Sequence, residues 1–223
     1  MVHAGRFATV VAVTQEWGIG NEGQLPWHPR RLHLDMGFLK YVTLNRYELA
    51  NDGGMLFREA KGKNAVIMGR KTWESIPPQF RPMQGRHNII ITSDSSKADY
   101  GYDPDVYIVN SFDSACEKAL QLAAPNDGQV FVLGGSGVYH MALTDLRCEA
   151  VFITRLMKHP PLPCTVFFPF EQLQTYPRIF NITDQVKALK LLLPKSARID
   201  LHPDDKEVTE GDITYQFELH VRC

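Results

Sequence analysis

The chain has 223 residues and carries 24 Lys and Arg against 25 Asp and Glu, a net charge of −1. That balance excludes a global electrostatic pull toward nucleic acid or an anionic membrane, and no apolar run approaches the roughly 20 residues that a bilayer span needs. With 44% hydrophobic residues, the length suits one domain over 1–223 better than two small ones.

Met1 to Phe7 lacks a charged-then-apolar leader pattern and leads straight into a strand-like run. Cys116, Cys148, Cys164 and Cys223 stand far apart without a CxxC pair. They read as free thiols of a reducing compartment, cytosolic or organellar, and neither a disulfide framework nor a metal site is expected. The sequon Asn181-Ile182-Thr183 reads as a chance match.

In chain order, Val10 to Val13 forms a first strand and Leu34 to Thr43 a helix. The polar, glycine-punctuated stretch Asn45 to Lys63 reads as a surface insertion. Ala65 to Met68 is a strand, Lys71 to Ile76 a helix, and Asn88 to Ile91 and Val106 to Val109 are strands. Ser111 to Ala124 is a helix: Ala115, Ala119 and Leu122 recur near a 3.6 period and Ser111 offers a cap. Val130 to Leu133 is a strand, Ser136 to Leu143 a helix and Val151 to Thr154 a strand. Short, continuously apolar strands alternating with helices predict an α/β fold with a mostly parallel sheet covered on both faces. The tail differs. Ile213 to Val221 alternates strictly, which predicts an antiparallel edge hairpin, with a partner around Pro177 to Thr183. Asp184 to Asp212 reads as a second surface insertion.

Five local signals carry chemistry. Gly18, Gly20 and Gly23, followed by Leu25-Pro26-Trp27, come directly after the first strand. This is either an ordinary turn or a ligand loop at the carboxyl end of a strand, with Trp27 as a flat surface beside it. Asp35, among Leu34, Met36, Phe38 and Leu39, is either a helix-start charge favoured by the dipole or a carboxylate aimed into an apolar cleft. In Met68-Gly69-Arg70-Lys71-Thr72 a strand ends in glycine and two cations open a helix; this is a solvated basic turn or an anion site, and it is not a P-loop. Leu133-Gly134-Gly135-Ser136-Gly137-Val138-Tyr139 permits either tight strand–helix packing or close approach of a pyrophosphate, although His140 breaks the GxGxxG pattern. Arg86 is surface charge or, held rigid before an apolar strand, a fork for a carboxylate.

Taken together and in this order, the stretches VVAVTQEWGIGNEGQLPW, NAVIMGRKTWESIPPQFRPMQGRHNIIIT, VFVLGGSGVY, VFITR and EGDITYQFEL resemble the dihydrofolate reductases, particularly fungal members. The resemblance implies a central eight-stranded, mainly parallel sheet with a C-terminal antiparallel strand and about four flanking helices. It implies NADPH-dependent reduction of 7,8-dihydrofolate for one-carbon metabolism, antifolate binding, no nucleic-acid or membrane partner, a monomer, and a cytoplasmic or also mitochondrial location. Carried over by position, it implies catalytic roles for Asp35, Trp27, Thr154 and Tyr139. It implies a substrate pocket of Val10, Val11, Ala12, Met36, Leu39, Thr72, Ile76, Phe80, Met83 and Leu133, with Arg86 on the folate carboxylate. The cofactor site would comprise Ala12, Ile19, Gly20, Gly23, Gln24, Leu25, Gly69, Arg70, Lys71, Thr72, Thr92, Ser93, Asn110, Gly134, Gly135, Ser136, Gly137, Val138 and Tyr139.

Three departures stand out. The step from Trp27 to the acid is longer than the resemblance implies, with His33 six and Asp35 eight residues on; Asp35 is chosen because histidine cannot present a carboxylate. Asn110 replaces a cation for the cofactor 2′-phosphate, leaving that task to Arg70 and Lys71. Leu39 replaces an aromatic residue. Two rival readings are a riboflavin-pathway pyrimidine reductase, which should lack the Trp27–Asp35–Arg86 set, and a silent nucleotide- or RNA-binding relative, which should lack Asp35 or the glycine loop.

Overall fold

Residues 5–50, 55–93, 103–189, 191, 199–200 and 206–222 are described by the computed structural model. The strands are β1 (Phe7–Val13), β2 (Gly18–Gly20), β3 (Asn45–Leu49), β4 (Met55–Glu59), β5 (Asn64–Gly69), β6 (Arg86–Ile91) and β7 (Val106–Val109). They continue as β8 (Val130–Val132), β9 (Cys148–Lys158), β10 (Val166–Phe167), β11 (Arg178–Asn181), β12 (Ile199–Asp200), β13 (Val208–Glu210) and β14 (Ile213–Val221). The helices are α1 (His33–Leu44), α2 (Arg70–Ser75), α3 (Phe112–Ala123), α4 (Ser136–Thr144) and α5 (Thr183–Ala188).

Eight strands run side by side in the order β13-β14-β9-β1-β8-β5-β6-β7, and the short β12 and β11 extend the far edge to ten. From β9 to β7 every pairing is parallel, whereas β14 is antiparallel to β9. The α/β fold with a mostly parallel sheet is therefore as expected. Alternate residues of β1 feed two cores. Ala8 and Val10 face one with Trp27, Phe38 and Trp73, and Phe7, Val11 and Val13 face the other with Ala115, Ala119 and Tyr139. Helices α1, α2 and α5 thus cover one face and α3 and α4 the other, as buried parallel strands require. The cap on α3 forms as anticipated, with the Ser111 hydroxyl accepting from Ser114 N at 3.1 Å. No helix among the described residues is long and apolar enough to cross a membrane, and Cys116, Cys148 and Cys164 are free thiols.

Two expectations need correction. The stretch 45–63 is no loose insertion, because β3 and β4 pair as an antiparallel hairpin from Asn45↔Glu59 to Leu49↔Met55. Tyr47 and Met55 are buried in the core and anchor it. The Tyr47 ring packs edge-on against Phe152 at 5.1 Å and its hydroxyl donates to Glu149 at 2.8 Å. The polar neighbours of Tyr47 hid that anchor. Nor is β14 an edge strand. It does pair with β11 as expected, but it lies between β9 on one side and β13 and β11 on the other. Its last five residues are all buried, and His220 Nε2 lies 2.7 Å from Glu218 Oε2. Of the second insertion, α5, β12 and β13 are ordered elements, while 190, 192–198 and 201–205 lie outside the described residues. The sequon's Thr183 is buried, its hydroxyl accepting from Phe217 N at 2.9 Å.

Candidate active site

The carboxyl ends of β1, β5, β6 and β8 lie together because these strands are parallel neighbours in one sheet, and most of the expected site residues follow them. In open α/β sheets this end, where the strand order reverses, is where ligands sit. The chain places β8 between β1 and β5 only after leaving for β6 and β7, which makes such a reversal.

Asp35 sits in the first turn of α1, on the same stripe as Phe38 and Val42, and is only 5% exposed. Its Oδ2 has no hydrogen-bond partner among the described residues. Burial raises its pKa to about 6; a hydrogen bond with the Thr154 side chain opposes the rise and the nearby charge of Glu210 adds to it. Thr154 arrives from β9 opposite Ala12. His33, the other candidate, is half-buried and its Nδ1 lies 3.1 Å from Glu210 Oε2.

Arg86 opens β6 and is 7% exposed. Its Nε donates to Gln84 O at 3.1 Å and its Nη1 to Thr43 Oγ1 at 2.8 Å. No carboxylate pairs with it among the described residues, and burial lowers its pKa to about 10. Asn88 fixes the approach loop by donating to Met83 O and Arg86 O and accepting from Met83 N. A buried cation bonded only to neutral groups is poised for an anion.

Around these two charges, Val10, Trp27 and Leu133 are buried in one apolar cluster, and Ala12, Leu39, Ile76 and Met83 pack against it. Met36 and Phe80 are exposed, at 43% and 56%. The Val11 side chain joins the opposite cluster, so only its backbone can face Asp35's side of the sheet. The buried Tyr139 hydroxyl donates to Val10 O at 2.9 Å.

At the same end of the sheet, β5 and β8 end side by side and Gly69 N donates to Gly134 O at 2.7 Å. Gly134 has φ +98°, and a Cβ there would meet the Tyr139 ring at 2.5 Å, so the turn requires glycine. The first helical bond of α4 runs from Tyr139 N to Gly135 O, which leaves the N–H groups of Ser136, Gly137 and Val138 ahead of the ladder. Thr72 lies across from Gly135, its hydroxyl 3.3 Å from where a Cβ would be. Arg70 is engaged with Glu74 at 2.9 Å, while Lys71 is exposed. Thr92 and Asn110 follow adjacent strand ends, with Thr92 N donating to Val109 O at 2.9 Å, and Ser93 and Asn110 are exposed.

The glycine loop after β1 folds back as β2, which pairs antiparallel with β10 through Gly18↔Phe167 and Gly20↔Val166. Gly18 is obligatory for this seam, since a Cβ would lie 2.2 Å from Cys164 Sγ. Ile19 is partly buried against the α3–α4 core, and Gly23, Gln24 and Leu25 are exposed in the turn that follows.

Sequence reasoning missed Glu210 and Tyr215. Glu210 Oε2 accepts from His33 N at 2.8 Å and Oε1 from Leu34 N at 2.9 Å, and the Tyr215 hydroxyl also donates to Oε1. A signal did exist: Glu210 shares strand parity with the buried Val208.

Glycine turns at the carboxyl ends of parallel strands, opening beside a buried acid, give the layout of a ligand site in an open α/β sheet. A family model described as dihydrofolate reductase matches residues 46–190. The dihydrofolate reductase of Encephalitozoon cuniculi (strain GB-M1) is 31% identical over 215 residues, covering 96% of this chain and 97% of that protein. That of Pneumocystis carinii is 33% identical over 166 residues, 73% of each. A bifunctional dihydrofolate reductase-thymidylate synthase of Glycine max is 37% identical over 185 residues, covering 78% of this chain and 31% of that protein. The chain belongs to the dihydrofolate reductase family. It spans about a third of the length of the bifunctional relatives it matches.

Proposed function

We propose that this chain reduces 7,8-dihydrofolate to 5,6,7,8-tetrahydrofolate with NADPH. The observation that carries the reading is the Asp35 carboxylate, buried on an apolar stripe with one oxygen unpartnered among the described residues. Such a group calls for a flat heterocycle with adjacent N–H donors, because an unpaired buried polar atom is costly. The pterin N3 and 2-amino edge meets that need. Arg86, bonded only to neutral groups, suits the glutamate carboxylate at the other end of folate.

The residues fit a dinucleotide. Gly134 and Gly135 bring backbone close to Thr72 and Tyr139, nothing lies within 4 Å of where a Cβ of Gly137 would be, and the first N–H groups of α4 face the same end. Ser136 to Val138 would hold the pyrophosphate, and Arg70, Lys71, Thr92 and Ser93 the phosphates. When bound, NADPH supplies the hydride that reduces C6 of the pterin. The edge that Asp35 grips lies away from N5, so water admitted beside Gly18–Trp27 supplies the N5 proton. Asp35 makes N5 more basic by stabilising the positive charge that this proton brings. Trp27 and Leu133 shield the carboxylate, Thr154 orients it, and Tyr139 fixes the β1 backbone through Val10.

The test is the loss of reduced-nicotinamide absorbance with NADPH and dihydrofolate. Turnover blocked by methotrexate is expected; absence of turnover with both substrates would remove the proposal. The same reading extends to a single monomeric domain over 1–223, cytoplasmic or also mitochondrial, that uses dihydrofolate and antifolates as ligands and needs no nucleic acid, in keeping with its near-neutral charge.

A further inference from the structure

We propose that Glu210 is a positioning residue for Asp35: it clamps the first turn of α1 so that the Asp35 carboxylate stays inward, and it sets a second negative charge beside it. This inference rests on the reading of Asp35 as the group that grips the substrate ring.

A helix start is ordinarily capped by a short polar side chain in its own sequence. Here the cap position is Leu32, which offers no acceptor. The acceptor comes instead from the β13–β14 hairpin. Glu210, 7% exposed, takes the first N–H groups of α1, His33 N and Leu34 N, on separate oxygens. The Tyr215 hydroxyl and His33 Nδ1 bond the same carboxylate. The turn beyond it is fixed as well, since the Arg30 guanidinium donates twice to Asp212 at 2.8 Å. The hairpin thereby holds both the lengthened segment after Trp27 and the helix that follows it.

Capping alone would not require a carboxylate. A second buried negative charge next to Asp35 disfavours ionisation of Asp35, and Glu210 does act on Asp35 in this direction. The titratable groups facing Asp35 are Glu210 from β13, Tyr215 from β14 and Tyr139 from α4, together with the neutral Thr154 from β9. The amide of Glu210→Gln keeps the shape of the cap and removes its charge.

The test follows the Asp35 carboxyl by carbon NMR titration of the ligand-free protein, alongside the pH profiles of kcat and kcat/KM. Glu210→Gln should move the Asp35 midpoint to lower pH by about half a unit or more and shift the profile with it. Glu210→Asp keeps the charge but is too short to reach both amides, so it should lower kcat several-fold while the midpoint stays raised. An unmoved midpoint in Glu210→Gln overturns the proposal, and so does parental turnover at every pH in Glu210→Asp. A fall in Tm with neither change would make Glu210 an ordinary cap. If the parent chain turns over no dihydrofolate, the functional reading fails while the ligand-free titration still decides the role of Glu210.

Discussion

Arg86 Nη1 donates to Thr43 Oγ1 at 2.8 Å, so the guanidinium is tethered to the helix that begins beside Asp35. The two charges at opposite ends of the proposed folate site are therefore positioned by one rigid element. Arg86→Leu should raise the KM for dihydrofolate about 30-fold or more, as expected for loss of a buried charge pair worth roughly 2–5 kcal/mol. Cofactor Kd should be unchanged. Steady-state kinetics beside cofactor titration checks this; an unchanged KM with a collapsed Tm would mean that Arg86 serves only the fold.

Asp35 is held at about 6 chiefly by burial. The native state thus keeps a proton that the unfolded chain has released, and stability contributed by protonated Asp35 is lost as pH rises from the ordinary carboxylate range through about 6. Ionised Asp35 costs on the order of 3 kcal/mol. Asp35→Asn should consequently resist urea better than the parent at pH 8, gain less at pH 4, and turn over about 10²- to 10⁴-fold more slowly at neutral pH. Equal stability of the two proteins at pH 8 would refute the linkage.

Gly134→Ala forces a Cβ to within 2.5 Å of the Tyr139 ring at a φ of +98°. Such backbone strain costs about 1–3 kcal/mol, and displacing the ring breaks the hydrogen bond to Val10 O. Reduced Tm and cofactor affinity at least about tenfold weaker are expected, one decade for each 1.4 kcal/mol. Gly137→Ala meets nothing within 4 Å and should not lower Tm, so an equal loss in both variants would refute the steric account.

Tyr47→Ala removes the buried aromatic anchor of β3 and should cost about 3–5 kcal/mol, as large-to-small core changes do. Tyr47→Phe keeps the ring and loses only the bond to Glu149, which retains Arg6 at 3.3 Å; about 1 kcal/mol is expected. Urea denaturation of the pair separates packing from hydrogen bonding.

The parts legible in the sequence were those whose determinants are local. Ser111 caps α3 three residues ahead of the amide it accepts from, and the apolar run Val66–Met68 announces a strand buried on both faces. Asp35 is chosen over His33 because histidine cannot present a carboxylate, and the structure places Asp35 on one buried helical stripe with Phe38 and Val42. The β3–β4 hairpin escaped because a single Tyr47 among Asn45, Arg46 and Glu48 shows no periodicity, and its cover, Phe131 and Phe152, lies far along the chain. Strict alternation in β14 suggested one wet face, yet Glu218 and His220 on that face are buried. Val11 resembled a pocket residue by position, but strand parity turns its side chain to the other face.

The bonds from His33 and Leu34 to Glu210 join residues 177 and 176 positions apart. On the ribosome, the start of α1 must wait, its first amides open to solvent, until Glu210 has been made. Contacts of such long sequence separation form late and slowly, so a nascent chain halted before β13 would hold most of the sheet yet lack the finished start of α1. Competence to grip the proposed substrate ring is then acquired only once β13 has joined the sheet.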